Sequence, residues 1–250
     1  VEDDRLELFS QPSLGLGLMP GGSRGHYEGL LRMRVENGDL VGPVQFIPAA
    51  VRYNLRSTLA RWVSHTALCE LADREGGDQA RYTIAINLSG TSLSEDRFLE
   101  YVVNELKEQN LPSGAICFEI TETAAISNLS RVVHFMQALK QLGCKFSLDD
   151  FGSGLSSFTY LKNLPVDYLK IDGQFIRNVA EDTVDESMVK AISEVGHAMG
   201  IETIAERVET RQVLEKLGAL GIEFAQGYYI ARPTSVQSFA PWNAAAEMRA

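Results

Sequence analysis

Two adjacent carboxylates, Asp149 and Asp150, follow the apolar segment 145–148 and precede a glycine-rich turn at 151–154. Neighbouring carboxylates repel each other unless a cation lies between or beside them, so the pair favours a site for one or two divalent metal ions. A plainer alternative is that the two side chains cap backbone amides of the turn and of the next helix. For an isolated Asp-Asp pair the capping alternative is the better one. The residues at the ends of the other strands must decide between capping and metal binding.

The same kinds of residue recur at or just after the predicted ends of other strands. They are Glu28, Asn87, Glu119, Glu122, Lys170, Asp172, Glu206, Glu209 and Gln226. Each has a simple structural explanation alone; Lys170, for example, could extend out of the sheet along its aliphatic stem. If all of them meet at one rim, the clustered carboxylates require compensating positive charge. Oxygen ligands without His or Cys select hard cations, so the set predicts Mg²⁺ or Mn²⁺.

Two hard metal ions and a lysine in one oxygen-rich cleft suit phosphoryl chemistry. The ions would lower the pKa of a water molecule, hold phosphate oxygens and stabilise the leaving oxygen. Lys170 would orient or deprotonate that water, or neutralise charge in the transition state. The chain has no Walker loop and no Ser-His-Asp order, so nucleotide-driven transfer and serine chemistry have no support. The four histidines lack ligand spacing, and we interpret them as structural.

Strand and helix patterns alternate along the chain and must position these residues. The first two strands, near 6–12 and 26–34, are joined by a glycine-rich linker too short for a crossover helix, so they should form an antiparallel hairpin. The later alternation implies βαβ units and a parallel sheet. Eight strands over this length favour a closed barrel, with a flat doubly wound sheet as the alternative. Barrel enzymes build their sites at the carboxyl ends of the strands, where the polar residues stand.

Size and composition limit the possible classes of protein. The chain has 250 residues, 45% of them apolar, and a net charge of −10. We expect a single domain over residues 1–250, with an ordered core of about 6–233, that was cut from a longer protein. The acidic charge argues against DNA or RNA binding. The cysteines, Cys69, Cys117 and Cys144, are predicted to be reduced core residues of a cytosolic domain, and no membrane span or signal sequence is visible.

Eight short motifs follow one another in a specific order. They are Gln11-Pro12, Glu28-Gly29-Leu30-Leu31-Arg32, Asn87-Leu88-Ser89, Glu119-Ile120-Thr121-Glu122, Asp149-Asp150-Phe151-Gly152, Leu169-Lys170-Ile171-Asp172, Ala205-Glu206-Arg207-Val208-Glu209 and Gln226-Gly227-Tyr228. With this ordered set the sequence resembles the EAL-domain family of cyclic di-GMP phosphodiesterases, from Leu6 to Pro233. The resemblance implies a modified TIM-type (β/α)8 barrel whose first strand is antiparallel, in agreement with the predicted hairpin.

The resemblance also implies roles for individual residues. The first of two Mg²⁺ or Mn²⁺ ions would be held by Glu28, Asn87, Glu119 and Asp149, and the second by Asp149, Asp150 and Glu206. Lys170, with Glu206 and Glu28, would act on the water that attacks one phosphodiester of cyclic di-GMP, giving linear pGpG. The substrate contacts would be Gln11, Arg32 and Gln226. Glu122 would brace the loop 151–157, while Asp172 and Glu209 would support the site from behind.

Three positions depart from the family pattern. Gly29 replaces an alanine, Met33 replaces a common tryptophan, and Arg207 replaces a usual glycine beside Glu206. We expect Gly29 to be tolerated, and Met33 to alter the packing behind the substrate. Arg207 either contacts a substrate phosphate or points into solvent, and we favour solvent.

Three functional hypotheses follow. The first is an active, metal-dependent phosphodiesterase. The second is a catalytically silent module that binds cyclic di-GMP and signals to a partner domain; silent relatives usually lack some ligands, whereas this chain keeps them all, so the enzyme is favoured. A purely structural interaction domain would leave the carboxylates unexplained. We further expect a homodimer through the loop and helix after Asp150, upstream regulatory domains in the parent protein, and a domain on the cytoplasmic side, with the parent's membrane anchoring left open.

Overall fold

The computed structural model describes residues 5–17, 25–73, 81–152 and 158–236. Its strands are β1 (Leu6–Gly15), β2 (Gly25–Arg34), β3 (Leu40–Val41), β4 (Tyr82–Leu88), β5 (Ile116–Thr121), β6 (Lys145–Phe151), β7 (Tyr168–Ile171), β8 (Glu202–Ala205), β9 (Phe224–Ala225) and β10 (Thr234–Ser235). Its helices are α1 (Pro43–Arg52), α2 (Arg56–Ala72), α3 (Gly90–Leu93), α4 (Asp96–Gln109), α5 (Glu122–Ser127), α6 (Leu129–Lys140), α7 (Phe158–Leu161), α8 (Gly173–Ile176), α9 (Thr183–Met199) and α10 (Arg211–Ala219). None of these helices combines the length and hydropathy that a membrane crossing requires.

Eight strands close into a barrel. From β2 through β4, β5, β6, β7 and β8 to β9, each strand pairs in parallel with the next. Strand β1 lies antiparallel between β2 and β9 and so closes the ring. The predicted hairpin and the modified TIM-type (β/α)8 barrel are therefore confirmed, and the flat doubly wound sheet is excluded. The short strands β3 and β10 pair with β2 and β1.

The main hydrophobic core lies between the barrel and its helices. Strands β4 and β5 are apolar almost throughout because both of their faces are buried. Phe98 of α4 and Phe135 of α6 stack with ring centroids 6.3 Å apart, and Phe135 also meets Phe118 of β5 at 6.5 Å. Burying each such side chain stabilises the fold by about 1.5–3 kcal/mol, which fixes the helices against the strands.

The cysteine prediction holds for two residues out of three. Cys117 and Cys144 are buried and free. Cys69 is also free but only half-buried, and its Sγ lies 3.6 Å from Nε2 of His65 one turn earlier on α2. The prediction that Cys69 is a core residue was wrong, because it lies at the edge of the buried face of the helix.

Candidate active site

The barrel interior is built in layers, and the candidate site is the layer above an apolar floor. The floor is a buried cluster, separate from the main core, that consists of Ala85, Cys117, Tyr168, Ile204 and Phe224. Side chains two residues apart on a strand share a face. Two residues after each floor residue stands a polar one: Asn87, Glu119, Lys170, Glu206 and Gln226. The period of the strands therefore places these predicted residues at one mouth of the barrel, directly above the floor.

Lys170 lies at the centre of this polar layer. Its side chain is 1% exposed, so the alternative in which it extends out of the sheet was wrong. Its Nζ lies 2.8 Å from Glu206, 2.9 Å from Glu119, and 3.3 Å from both Glu28 and Asp149. Burial lowers the pKa of Lys170, but these four carboxylates, Glu119 first, raise it well above its usual value. One ammonium thus faces more negative charge than it can neutralise.

Glu28 is held by amide side chains from two other parts of the barrel. Asn87 Nδ2 donates to Glu28 Oε1 at 2.7 Å, and Gln226 Nε2 donates to Glu28 Oε2 at 2.9 Å. Gln11, which pairs with Glu28 across β1 and β2, lies beside Gln226 and donates from Nε2 to Ala231 O at 2.8 Å. Burial raises the pKa of Glu28, but Lys170 and these hydrogen bonds outweigh burial and lower it overall. The carboxylate of Glu28 is therefore fixed in its charged form.

The Asp149–Asp150 pair lies in a distorted part of β6. The strand continues to Phe151 rather than ending at the pair, and its pairing with β7 is irregular between Leu148 and Phe151. Asp150 adopts a left-handed backbone conformation with φ 55°, which is uncommon outside glycine but enriched for Asp and Asn. Such a bulge re-aims side chains that would otherwise alternate between the two faces of the sheet. As a result, ligand oxygens of Asp149, Asp150 and Glu206 all lie within 4.8 Å of one another.

The electrostatics of this cluster fit a hard divalent cation. Burial raises the pKa of Glu119 well above its usual value and that of Glu206 to about 7, and neighbouring carboxylates add to both effects. The pKa of Asp150 is also raised, by burial and then by Asp149 and Asp172. Asp149 Oδ1 and Glu119 Oε1 are buried without a hydrogen-bond partner among the described residues, although the former lies 3.3 Å from Lys170 Nζ. A divalent cation would compensate these unpaired carboxylate oxygens and the crowded negative charge around them, and the cluster contains no His or Cys among the described residues.

Glu122 lies behind the cluster and is 2% exposed. Gly152 N donates to its Oε2 at 3.2 Å, and the Tyr160 hydroxyl donates to its Oε1 at 2.5 Å. Glu122 therefore contacts both sides of the loop predicted at 151–157, of which residues 153–157 lie outside the described residues. Its bracing role and the dimerisation role of this segment stay predictions.

The remaining predicted residues are Arg32, Asp172 and Glu209. Arg32 Nη1 donates to Leu31 O at 2.9 Å, and its guanidinium lies 5.8 Å from the Phe9 ring centroid. Asp172 caps α8, since its Oδ1 accepts from Gln174 N at 2.7 Å. Glu209 is exposed and lines the cavity described next. The proposed substrate contact of Arg32 and the supporting roles of Asp172 and Glu209 stay predictions.

A cavity of about 480 Å³ opens above the polar layer. Its lining residues are Gln11, Glu28, Leu30, Asp149, Asp150, Glu206, Arg207, Glu209, Gln226, Gly227 and Tyr228. Sequence reasoning assigned no site role to Leu30, Gly227 or Tyr228, although all three stand inside the recognised motifs. Arg207 is exposed and lines the cavity, which is compatible with both predicted roles, so the choice between solvent and a phosphate contact stays a prediction. At Gly29 an added Cβ would lie 3.1 Å from Ala85 O, which is a tight contact.

The fold and the site together define a TIM-type barrel with an acidic mouth whose carboxylates suit a divalent cation. The family model of the EAL domain matches residues 2–233, so the chain belongs to the EAL domain family. It is 42% identical over 239 residues to the cyclic di-GMP phosphodiesterase PdeB of Shewanella oneidensis, and 35% identical over 235 residues to the cyclic di-GMP phosphodiesterase PdeF of Escherichia coli. These matches cover 96% and 93% of the chain but only 28% and 30% of the relatives' lengths.

A solved structure shows the same fold. The phosphodiesterase MucR of Pseudomonas aeruginosa, solved in complex with cyclic di-GMP, superimposes with a TM-score of 0.86 at 32% identity. The match covers 94% of each of the two chains. The likeness therefore extends over the whole barrel, including all the strands that carry the polar layer.

Proposed function

We propose that this chain hydrolyses one phosphodiester bond of cyclic di-GMP to give linear pGpG, with Mg²⁺ or Mn²⁺ as the cofactor. The observation that carries the proposal is the convergence of Lys170 with the carboxylates of Glu28, Glu119, Asp149 and Glu206 at one barrel mouth. Relatives that bear the name cyclic di-GMP phosphodiesterase, and a relative solved with cyclic di-GMP, support the choice of substrate.

The residues that would hold the cations are Glu28, Asn87, Glu119 and Asp149 for one ion, and Asp149, Asp150 and Glu206 for a second. Bound there, divalent cations lower the pKa of water and neutralise phosphate oxygens. The chain itself supplies orientation: Lys170 donates to Glu119 and Glu28, while Asn87 and Gln226 hold the two oxygens of Glu28. Formation of pGpG requires that water adds to phosphorus, that the P–O3′ bond breaks, and that the departing 3′-oxygen gains a proton. The buried floor keeps other water away from the lower side of this layer.

The test is incubation of the protein with cyclic di-GMP and Mg²⁺ or Mn²⁺, with separation of products by chromatography. We expect pGpG with either metal and none in the presence of a chelator. Asp149→Asn should abolish turnover and weaken metal binding measured by calorimetry, while thermal unfolding shows that the fold is retained. Asp185→Asn, which removes one carboxylate from the first turn of α9, is the matched control and should behave like wild type.

Two outcomes would contradict the proposal. Tight binding of cyclic di-GMP without product under both metals would favour the silent sensor. Full turnover by Asp149→Asn would show that the Asp149 carboxylate is not needed to hold the metal. The assignment of the acidic cluster as the metal site would then be wrong.

A further inference from the structure

Arg207 carries the only positive charge among the described residues that line the cavity. The cavity's other charged residues are all acidic, and the ammonium of Lys170 lies buried beneath them. Apart from divalent cations held by the carboxylates, this guanidinium is therefore the one lining group among the described residues whose charge attracts an anionic ligand. Guanidinium groups bind phosphate in a two-pronged geometry, which makes Arg207 the natural partner of a phosphate that enters the cavity.

The backbone at Arg207 is held in a strained conformation. Its φ is 54°, in the left-handed region that costs energy for any residue with a side chain. The next residue is fixed on both sides: Val208 N donates to Gln226 O at 2.9 Å, and Tyr229 N donates to Val208 O at 3.0 Å. A bulky arginine in such a position is explained by a function more readily than by stability.

The stem of Arg207 has a defined place. A Cβ added at Gly173 would come within 2.4 Å of Arg207 Cδ and 2.7 Å of its Cγ, so the missing side chain there makes room for the arginine. Gly173 is itself buried at the start of α8, so the stem of Arg207 packs against the first turn of this helix. This packing leaves the guanidinium at the cavity.

We propose that Arg207 is a substrate-binding residue whose guanidinium donates hydrogen bonds to a phosphate oxygen of the bound cyclic dinucleotide. This inference rests on the proposed function, because it names a further contact of the same site. A charge-assisted hydrogen bond of this kind contributes mainly to affinity. Its loss should therefore raise KM, or Kd under non-hydrolysing conditions, and leave kcat nearly unchanged.

The experiment compares wild type with Arg207→Gly and Arg207→Lys in kinetics and in calorimetric binding of cyclic di-GMP. We expect Arg207→Gly to raise KM about 10- to 100-fold with kcat within about threefold. Glycine accepts the left-handed φ without strain, so the melting temperature should stay equal or rise, and the loss cannot be ascribed to unfolding. Arg207→Lys keeps the charge but loses the two-pronged geometry, so it should recover part of the affinity at low salt. Lys190→Gln, which removes one exposed positive charge from α9, is the matched control and should keep the wild-type KM.

Three results would overturn the inference. One is an unchanged KM in Arg207→Gly while wild type is active. This result would refute the contact between Arg207 and a substrate phosphate, but it would leave the proposed phosphodiesterase activity intact. Another is a lysine variant as impaired as the glycine variant at every salt concentration, which would show that positive charge at this position contributes nothing to binding of the phosphate. The third is a wild-type protein that neither binds nor hydrolyses cyclic di-GMP, which would refute the proposed function and this inference together.

Discussion

The network around Lys170 predicts a stability change that depends on metal ions and pH. Lys170→Met removes the one ammonium that contacts Glu28, Glu119, Asp149 and Glu206 at 2.8–3.3 Å in a site where the lysine is 1% exposed. Removing one partner from a buried ion pair costs about 3–5 kcal/mol, because the remaining charges are left without compensation. We expect this loss in the free energy of unfolding, measured by urea denaturation at pH 8 with a chelator present.

Two conditions should reduce the loss. In wild type the folded-state pKa values of Glu119 and Glu206 already lie above their usual values although Lys170 lowers both, so without the ammonium these two pKa values rise further. The penalty of these two carboxylates is then absent at low pH and grows as the pH rises through the raised values, so the loss should be smaller at pH 5.5 than at pH 8. A divalent cation at 100 times its Kd for the variant should stabilise the variant by about 2.7 kcal/mol. The same concentration should stabilise wild type less, because there the ammonium already supplies part of the positive charge. Turnover should fall at least about 100-fold.

The control for this prediction is Lys140→Met. Lys140 also contacts one carboxylate, Asp167, at 2.8 Å, but its side chain is 33% exposed and lies at the other end of the strands. Its loss should cost about 0.2–1 kcal/mol and should not respond to metal ions. A cost below about 1 kcal/mol for Lys170→Met, independent of both pH and metal, would refute the view that positive charge holds this cluster together.

Two further predictions concern the floor and the rim. His26 is buried between Tyr168 and Phe224, and burial, with Lys170, lowers its pKa to about 3. Its contribution to stability is present above the unfolded pKa of about 6.5 and is lost as the pH falls toward 3. In His26→Gln the unfolding free energy should therefore fall less steeply as the pH drops below 6.5, by up to about 1.4 kcal/mol per pH unit. His134→Gln, which replaces an exposed histidine, is the matched control. Gly227→Ala places a Cβ 2.2 Å from the Val208 backbone and should cost about 3 kcal/mol or more in thermal unfolding. Gly218→Ala, with open space around it in α10, should stabilise by about 0.5–1 kcal/mol; equal melting temperatures for these two variants would contradict the packing argument.

The sequence could predict the barrel because its signals are local. The short linker between β1 and β2 indicated the hairpin, and the strand ends indicated which side chains share a rim. The hydrogen-bond partners were not predictable, because they depend on three-dimensional distances. Lys170 had an equally reasonable position outside the sheet until four carboxylates were seen around it.

Backbone irregularities were the other part that sequence reasoning missed. The bulge that carries β6 through Asp149 and Asp150 to Phe151 has no periodic signature. The left-handed φ of Arg207 likewise could not be read from its neighbours, and an arginine is a poor indicator of such a conformation. Both irregularities depend on contacts with distant strands rather than on local propensity.

The bond between Glu28 and Gln226 joins residues 198 positions apart at 2.9 Å. Contacts of such long sequence separation form late when a chain folds, because the entropy of closing the intervening loop must first be overcome. During refolding, the barrel seam and the cation site should therefore mature in the same slow phase. A signal that reports binding of the cation would then follow closure of the barrel in real time. A chain that ends before β9 would lack that signal even if its helices had already formed.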